Sequence, residues 1–311
     1  MLGEKIIQLL GIEYPVIQGG MAGVSEANLV SAVSNAGGLG TIGVGLMEEK
    51  WLAEEIEKTK KLTQKPFAVN LFLQNPKVSE LIKVIGQYQV PIVFTGGGNP
   101  LPVLPYLQAA GIKAIPVVPS SRLAQKMEDN RADAVVVEGM ESGGHIGTNP
   151  TFTLIPQTKS LLKQIPLIAA GGIYDGRTAA AAFLLGADGI QMGTRFVATK
   201  ECQSHESYKR KIIEATTDDI TTTLRFTGHP LRVIKNQLSE SWQKLEERGA
   251  FPEEIKAEKI AGAKGGENIE NLPLLSGLSA GGISEIKSCE EVVKGIMEEA
   301  KEAIKKVSQD I

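Results

Sequence analysis

Eight short apolar runs, rich in Val and Ile, recur through the first two thirds of this 311-residue chain, and their spacing constrains the fold more than any other feature. They are Tyr14–Gln18, Leu39–Gly43, Pro66–Asn70, Pro91–Thr95, Lys113–Val117, Asp133–Val137, Pro166–Ala170 and Asp188–Met192. Their starts lie 20 to 33 residues apart. Segments of helical period separate them: Glu26–Ala36, Glu48–Leu62, Val78–Tyr88, Ser121–Asn130 and Gly176–Leu185. Strand and helix in alternation make right-handed βαβ units and a parallel sheet. A parallel strand is covered on both faces, so it reads as a continuous apolar run, as these do. Eight units predict a closed (β/α)8 TIM barrel rather than an open doubly wound sheet, and such a barrel takes roughly 250 residues.

The texture changes after the eighth run. Residues 206–275 are more charged, carry no further βα unit, and include a helix at Ser239–Arg248 and a loose loop at Gly262–Gly266. The expected organisation is a barrel over 1–205, a small second domain inserted after strand 8 over 206–275, and a return segment over 276–311. In that last segment Ser276–Ser284 is apolar and glycine-rich, and Cys289–Val307 is an amphipathic helix placed to complete the ring of helices outside the barrel.

Composition excludes several classes. A net charge of −3 with interspersed signs offers no basic stripe for nucleic acid. Cys202 and Cys289 are the only cysteines, with no metal spacing around either, so both read as packing residues in a reducing compartment. Glu4 and Lys5 stand where a signal peptide needs its apolar run, and a cytoplasmic protein is expected. The uncharged stretches 27–47 and 84–112 are interrupted by glycine and, in the second, by Pro91, Pro100, Pro102 and Pro105, so neither reads as a membrane span.

Glycine is in excess, 34 of 311 residues or about 11% against a usual ~7%. The excess has a pattern, because the active site of such a barrel lies at the C-terminal ends of its strands and nearly every predicted strand has glycine just beyond its end. Gly19-Gly20-Met21-Ala22 follows strand 1, Gly43 and Gly45 follow strand 2, and Gly96-Gly97-Gly98 follows strand 4. Strand 6 leads into Glu138-Gly139-Met140-Glu141-Ser142-Gly143-Gly144-His145-Ile146-Gly147, strand 7 into Gly171-Gly172 and strand 8 into Gly193-Thr194. Any one pair is explained by an ordinary βα turn; together they predict a ligand that touches backbone.

The loops after strands 7 and 8 are the usual phosphate site, where backbone N–H groups and a helix N-terminus favour an anion. Thr194 adds a hydroxyl there, and Arg195 either assists or points into the helix ring. Gly20-Met21-Ala22 can lie flat against a ring, and Asn70 and Gln191 offer amides to its polar edge. A flat heteroaromatic with a phosphate tail implies FMN. No Walker loop and no GxGxxG fingerprint is present, so no Rossmann site for NAD is indicated. His145, in a glycine-rich loop at the mouth, suits proton donation near neutral pH or serves loop packing.

The motifs around Gly19-Gly-Met-Ala22, Glu138 to Gly147, Ala169-Ala-Gly-Gly-Ile173 and Gln191-Met-Gly-Thr-Arg-Phe196 resemble the 2-nitropropane dioxygenase/nitronate monooxygenase superfamily of FMN barrels. Within it the chain is most similar to the flavin-dependent enoyl-acyl-carrier-protein reductases of bacterial fatty acid synthesis. That choice rests on Glu138, where nitronate monooxygenases usually carry Gln, on Ile146, where they usually carry Arg, and on Gly228-His-Pro-Leu-Arg-Val-Ile-Lys-Asn-Gln237.

The resemblance implies that NADH or NADPH reduces FMN and that FMN passes hydride to a trans-2-enoyl thioester on acyl-carrier protein. His145 matches the family's catalytic histidine, as proton donor or as a hydrogen-bond donor to the thioester carbonyl. The implied cofactor-binding positions are Gly20, Met21, Ala22, Asn70, Glu138, Gly143, Gly144, Gly171, Gly172, Gln191, Met192, Gly193 and Thr194. Glu138 bonds either a ribityl hydroxyl or its own loop. His229, Arg232 and Lys235 meet either phosphates or the carrier protein's acidic surface, or else lie on a solvated helix face. His205 reads as a surface residue. The alternatives are a nitronate monooxygenase, a flavin-free sugar-phosphate lyase or isomerase, and a non-catalytic flavin-binding module. NADH against NADPH, chain length and a monovalent-cation requirement stay open, no metal site is expected, and a homodimer is the prior expectation.

Overall fold

A computed structural model describes residues 2–224, 230–249 and 268–309. The first helix, α1 (Glu4–Leu10), precedes the barrel. Then β1 (Val16–Gln18), α2 (Ala27–Asn35), β2 (Gly40–Gly43), α3 (Glu49–Leu62), β3 (Phe67–Phe72) and α4 (Val78–Gln87) alternate. They are followed by β4 (Ile92–Gly96), α5 (Leu104–Ala109), β5 (Lys113–Val118), α6 (Ser121–Asp129) and β6 (Val135–Glu138). A two-residue strand, β7 (Gly144–His145), interrupts the loop before α7 (Thr151–Leu161). The barrel ends with β8 (Leu167–Ala170), α8 (Gly176–Leu184), β9 (Gly189–Met192) and the single turn α9 (Thr194–Val197).

The barrel strands are the eight predicted runs, with bounds shifted by two residues at most, and they pair in parallel in the order β1-β9-β8-β6-β5-β4-β3-β2. The seam between β1 and β2 is narrow: Ile17 bridges Leu39, with Gln18 N–H to Leu39 O and Leu39 N–H to Val16 O, both 2.9 Å. The Gln18 side chain extends this short ladder. Its Oε1 accepts from Thr41 N at 3.0 Å, and its Nε2 donates to Thr41 O at 3.3 Å.

The apolar runs are continuous because each strand has two buried faces. Ile17, Leu39, Ala68, Ile92, Phe94, Ile115, Val136 and Ile168 fill the barrel interior, and Ile6 and Leu10 of α1 join them. Val69, Leu71, Val93, Val135, Val137, Leu167 and Ile190 face the helices. Two of the helices between barrel strands were not apparent in the sequence because proline breaks the pattern. Pro105 falls in the first turn of α5, where it is tolerated, and Pro156 lies inside α7.

After the barrel come α10 (Glu206–Glu214), β10 (Ile220–Thr223), β11 (Leu231–Ile234) and α11 (Gln237–Glu247). Strands β10, β11 and β7 form one antiparallel sheet, with Leu231 opposite His145 and Arg232 opposite Gly144. Leu224, Leu231, Val233 and Trp242 make a small core of their own, whereas Tyr208, Ile212, Ile234 and Leu274 join the main one. The Gly262–Gly266 loop lies outside the described residues. The last helix, α12 (Cys289–Gln309), packs on α8 and α2. Glu299 of α12 reaches the barrel directly, accepting from Gly176 N at 3.0 Å. Among the described residues no helix is long and apolar enough to cross a membrane.

Candidate active site

Three strand ends build the floor of the mouth. Asn70 pairs with Gly43 and Phe94, Glu138 with Ala170, and Ala170 with Gln191. Because Phe94 and Ala170 belong to the interior, the register turns Asn70, Glu138 and Gln191 inward with them. Strand β3 does not stop at Asn70 as the sequence suggested. Leu71 and Phe72 pair with Thr95 and Gly96, which carries β3 one inward position higher, to Phe72.

The loop after β1 crosses this floor. Gly20 lies so close to Asn70 that a Cβ there would stand 2.3 Å from Asn70 Cβ. Ser25 holds the loop, accepting from Met21 N at 2.9 Å and from Gln18 Nε2 at 2.8 Å. Met21 and Ala22 are half-buried, and Met21 Sδ lies beside Gly193. The loop after β1 is thus laid against those after β2, β3 and β9. Met192 differs from its neighbours: its side chain is buried in the layer between sheet and helices, and only its backbone faces the site, with Met192 O accepting from Gly19 N at 2.9 Å.

The loop from Glu138 to Gly147 is anchored at several points. Glu141 accepts from Thr151 N at 2.9 Å and from Thr151 Oγ1 at 2.8 Å, which also caps α7. Arg232 Nε donates to Met140 O at 3.0 Å. Leu278 N donates to Glu141 O at 2.9 Å, and the backbone of Ser276 and Gly277 packs against Gly143 so closely that only glycine fits there. Gly144 and His145 leave the loop as β7. His145 is exposed, and its ring stacks on Phe72 with centroids 5.9 Å apart and planes 22° apart.

The phosphate region differs from the sequence expectation in one respect. The N-terminus of α8 is closed to an anion, because Asp175 caps it through Thr178 N at 2.8 Å and the Glu299 carboxylate takes Gly176 N. Two carboxylates there repel a phosphate. The backbone of Gly171 and Gly172, both at positive φ, and the turn from Gly193 to Thr194 remain. Thr194 Oγ1 accepts from Gly277 N at 3.0 Å and keeps its own proton to donate.

Arg195 does not point at this region. It is buried, and its Nη2 donates to Ala198 O and Glu285 O at 2.6 and 2.7 Å. Arg232 and Lys235 are corrected too. They lie on or beside strand β11 rather than on a solvated helix face. Arg232 is buried behind the Glu138–Gly147 loop, and Lys235 Nζ donates to Asp218 O at 2.5 Å. His229 lies outside the described residues. His205 is half-buried and caps α10 by accepting from Ser207 N, and both cysteines are buried.

Burial pushes the Glu138 carboxyl up to about 7, with the Ser142 hydroxyl opposing the shift. A carboxyl in that range shares its proton near neutrality and can donate or accept. The donor set fits FMN. Among the described residues the side-chain amides of Asn70 and Gln191 have no protein hydrogen-bond partner, and both face the mouth. Two open cavities lie elsewhere, one of about 150 Å³ beside Arg195, Tyr174 and Glu299 and one of about 260 Å³ between Leu104 and Arg131.

The Nitronate monooxygenase family model matches residues 4–85 and 77–299. The chain belongs to the nitronate monooxygenase family. Family membership agrees with the barrel and the glycine-lined mouth, and makes this chain a flavin oxidoreductase. A family structure, FabK from Thermotoga maritima, is 42% identical, covers 99% of each chain and superposes with a TM-score of 0.95. A family relative in Mycobacterium tuberculosis, (3aS,4S,5R,7aS)-5-hydroxy-7a-methyl-1-oxo-octahydro-1H-indene-4-carboxyl-CoA dehydrogenase, is 37% identical over 77% of this chain and 68% of its own. A probable nitronate monooxygenase of Staphylococcus aureus is 35% identical over 78% of this chain and 81% of its own.

Several residues that shape this mouth were not apparent in the sequence: Gln18, Ser25, Phe72, Thr151 and Gly277. Of these only Thr151 leaves a local trace, since Asn149-Pro150-Thr151 reads as a turn opening a helix. Gln18, Phe72 and Gly277 matter through partners more than 20 residues away, and Ser25 through side-chain bonds within an irregular loop that has no period to show it.

Proposed function

We propose that this chain is an FMN-dependent enoyl-acyl-carrier-protein reductase that uses NADH or NADPH to saturate a trans-2-enoyl thioester. The observation that carries the reading is the end-to-end match with FabK at 42% identity. Glu138 and Ile146, at positions where nitronate monooxygenases usually carry Gln and Arg, favour the same side. The M. tuberculosis relative is named for a carboxyl-CoA, also a thioester.

Gly20, Met21 and Ala22 lie along one side of the ring in this reading, and Asn70 and Gln191 hydrogen-bond its polar edge. Glu138 takes a ribityl hydroxyl beside Gly143 and Gly144. Gly171, Gly172, Gly193 and Thr194, with the Met192 backbone beneath, hold the phosphate. Bound FMN supplies hydride transfer between nicotinamide and the substrate β-carbon. His145 presents a ring N–H to the thioester carbonyl, where it stabilises negative charge as it develops, or delivers the proton to the α-carbon. Strand β11, paired with β7, covers the mouth on the side of His145. The working unit is a homodimer, and a monovalent cation is a component to be tested.

The test is direct. Purified protein is expected to show a flavin spectrum and to oxidise NADH or NADPH only when crotonyl-CoA is added. His145→Ala is expected to keep the flavin and lose at least about 100-fold in enoyl turnover. Brisk turnover of a nitronate with none of crotonyl-CoA moves the assignment to nitronate monooxygenase, the reading that the S. aureus relative favours.

A further inference from the structure

The mouth has a polar half and an apolar half. Asn70, Glu138 and Gln191 belong to the first. In the second, β4 runs to Gly96, which pairs with Phe72. Gly96 alternates with Thr95 and so faces inward with Phe94, and Val117 of β5 packs on the same interior cluster. Phe72 and Val117 are half-buried. The segments that meet here, 84–112, 114–121 and 142–158, contain no Asp, Glu, Lys or Arg.

Neither the turn after β4 nor packing accounts for glycine at 96. The positive φ of that turn, +68°, falls on Gly97, and the close approach falls on Gly98, where a Cβ would stand 2.7 Å from Leu73 Cβ. At Gly96, among the described residues, an added Cβ would meet only Val117 Cβ, at 3.9 Å, which is ordinary contact. Gly20, Gly43, Gly139 and Gly143 are each pressed by a neighbour, and Gly96 is not. The segment from His145 to Gly147 crosses above this point. The His145 ring meets Phe72 at the end of β3, and a Cβ on Gly147 would stand 2.6 Å from Pro119 Cβ, directly after β5. Strand β4 lies between β3 and β5, so the crossing leaves a gap beneath it at Gly96.

We propose that the end of β4 is an acyl-chain slot, with Gly96 as its floor, Phe72 and Val117 as its sides and the backbone of residues 145–147 as its cover, and that it takes the apolar tail of the thioester. This rests on the enoyl-thioester reading given above and adds to it the residues that set chain length. A single missing side chain opens a channel rather than a broad pocket, and an unbranched chain is the slimmest apolar ligand to fill one. The slot begins at His145, where that reading puts the thioester carbonyl. Each methylene that leaves water for it strengthens binding about fourfold.

The experiment uses the full-length, flavin-loaded protein. Titration calorimetry is expected to show octanoyl-CoA bound at least about tenfold more tightly than butyryl-CoA, and Gly96→Val is expected to abolish that preference. In turnover, Gly96→Val is expected to lower the ratio of kcat/KM for trans-2-octenoyl-CoA to that for crotonyl-CoA by at least about tenfold. Valine suits a strand, so the variant is expected to fold. Should it not, Val117→Phe narrows the slot from its side and is expected to give the same two losses. Gly96→Val combined with Val117→Ala is expected to recover the preference. Equal binding of the two thioesters by the unaltered chain, a preference unchanged in both single variants, or a double variant that recovers nothing overturns the proposal. Absence of enoyl turnover in the unaltered chain instead overturns the reductase reading, and the binding preference then decides the slot by itself.

Discussion

Gln18 on β1 and Thr41 on β2 join their strands by side chain where the backbone ladder ends, through Thr41 N to Gln18 Oε1 at 3.0 Å and Gln18 Nε2 to Thr41 O at 3.3 Å. Gln18 is fully buried, and the same amide nitrogen reaches Ser25 Oγ. The barrel seam and the loop that crosses its mouth therefore share one side chain. Gln18→Leu leaves the Thr41 N–H and carbonyl buried without partners, at about 1–3 kcal/mol for each unsatisfied group. The expected loss is about 2–4 kcal/mol of stability, read from the midpoint of urea unfolding at unchanged slope.

Gly20→Ala is expected to act on the cofactor more than on the fold. The added methyl meets Asn70 Cβ and Cγ at 2.3 and 2.8 Å, and Asn70 cannot retreat because its strand is paired on both sides. Displacing Asn70 misaligns an amide that the proposed reading places at the ring. Flavin titration is expected to show at least about tenfold weaker binding, or about 1.4 kcal/mol. Binding equal to that of the unaltered chain argues against contact between this loop and the flavin.

Glu138 gives the pH dependence. Its carboxyl titrates near 7 when folded and near 4.5 when unfolded. The folded chain therefore binds more protons between these values, and stability falls as pH rises through that window. Glu138→Gln removes the penalty. The variant's melting temperature relative to the unaltered protein is expected to rise between pH 4.5 and pH 8 in the flavin-free form. A difference independent of pH shows that the carboxyl is not desolvated as described.

Thr194→Val tests the return segment. The hydroxyl accepts the buried Gly277 N–H, and valine keeps the shape without the oxygen. A buried N–H without a partner costs about 1–3 kcal/mol. Reduced stability together with weaker flavin binding is the expected result if the same hydroxyl donates to the phosphate as proposed. Lost stability with unchanged flavin affinity leaves Thr194 a structural role alone.

Much of the barrel was legible because burial on both faces writes a strand as an unbroken apolar run, and the ladder from Leu167 to Ala170 or from Val135 to Glu138 needs no distant information to be found. The glycines were legible as a cluster but not as contacts. Gly143 is glycine because Ser276 and Gly277 pass against it, and Gly20 because Asn70 does, so part of what reads as a ligand surface is one loop packed on another.

What the sequence by itself determined is local: eight strands, the helices between them without proline, and a histidine in a glycine-rich loop. What only the tertiary structure decided is every pairing across the chain. Strand β7 is too short to show a period, so its union with β11 is known only from the folded sheet. The same holds for Arg195 turning to Glu285 O and Glu299 closing the end of α8. The physical reason is range: propensity and burial act between near neighbours and leave a pattern, whereas a hydrogen bond between residues 90 or 123 positions apart leaves none until the chain has folded.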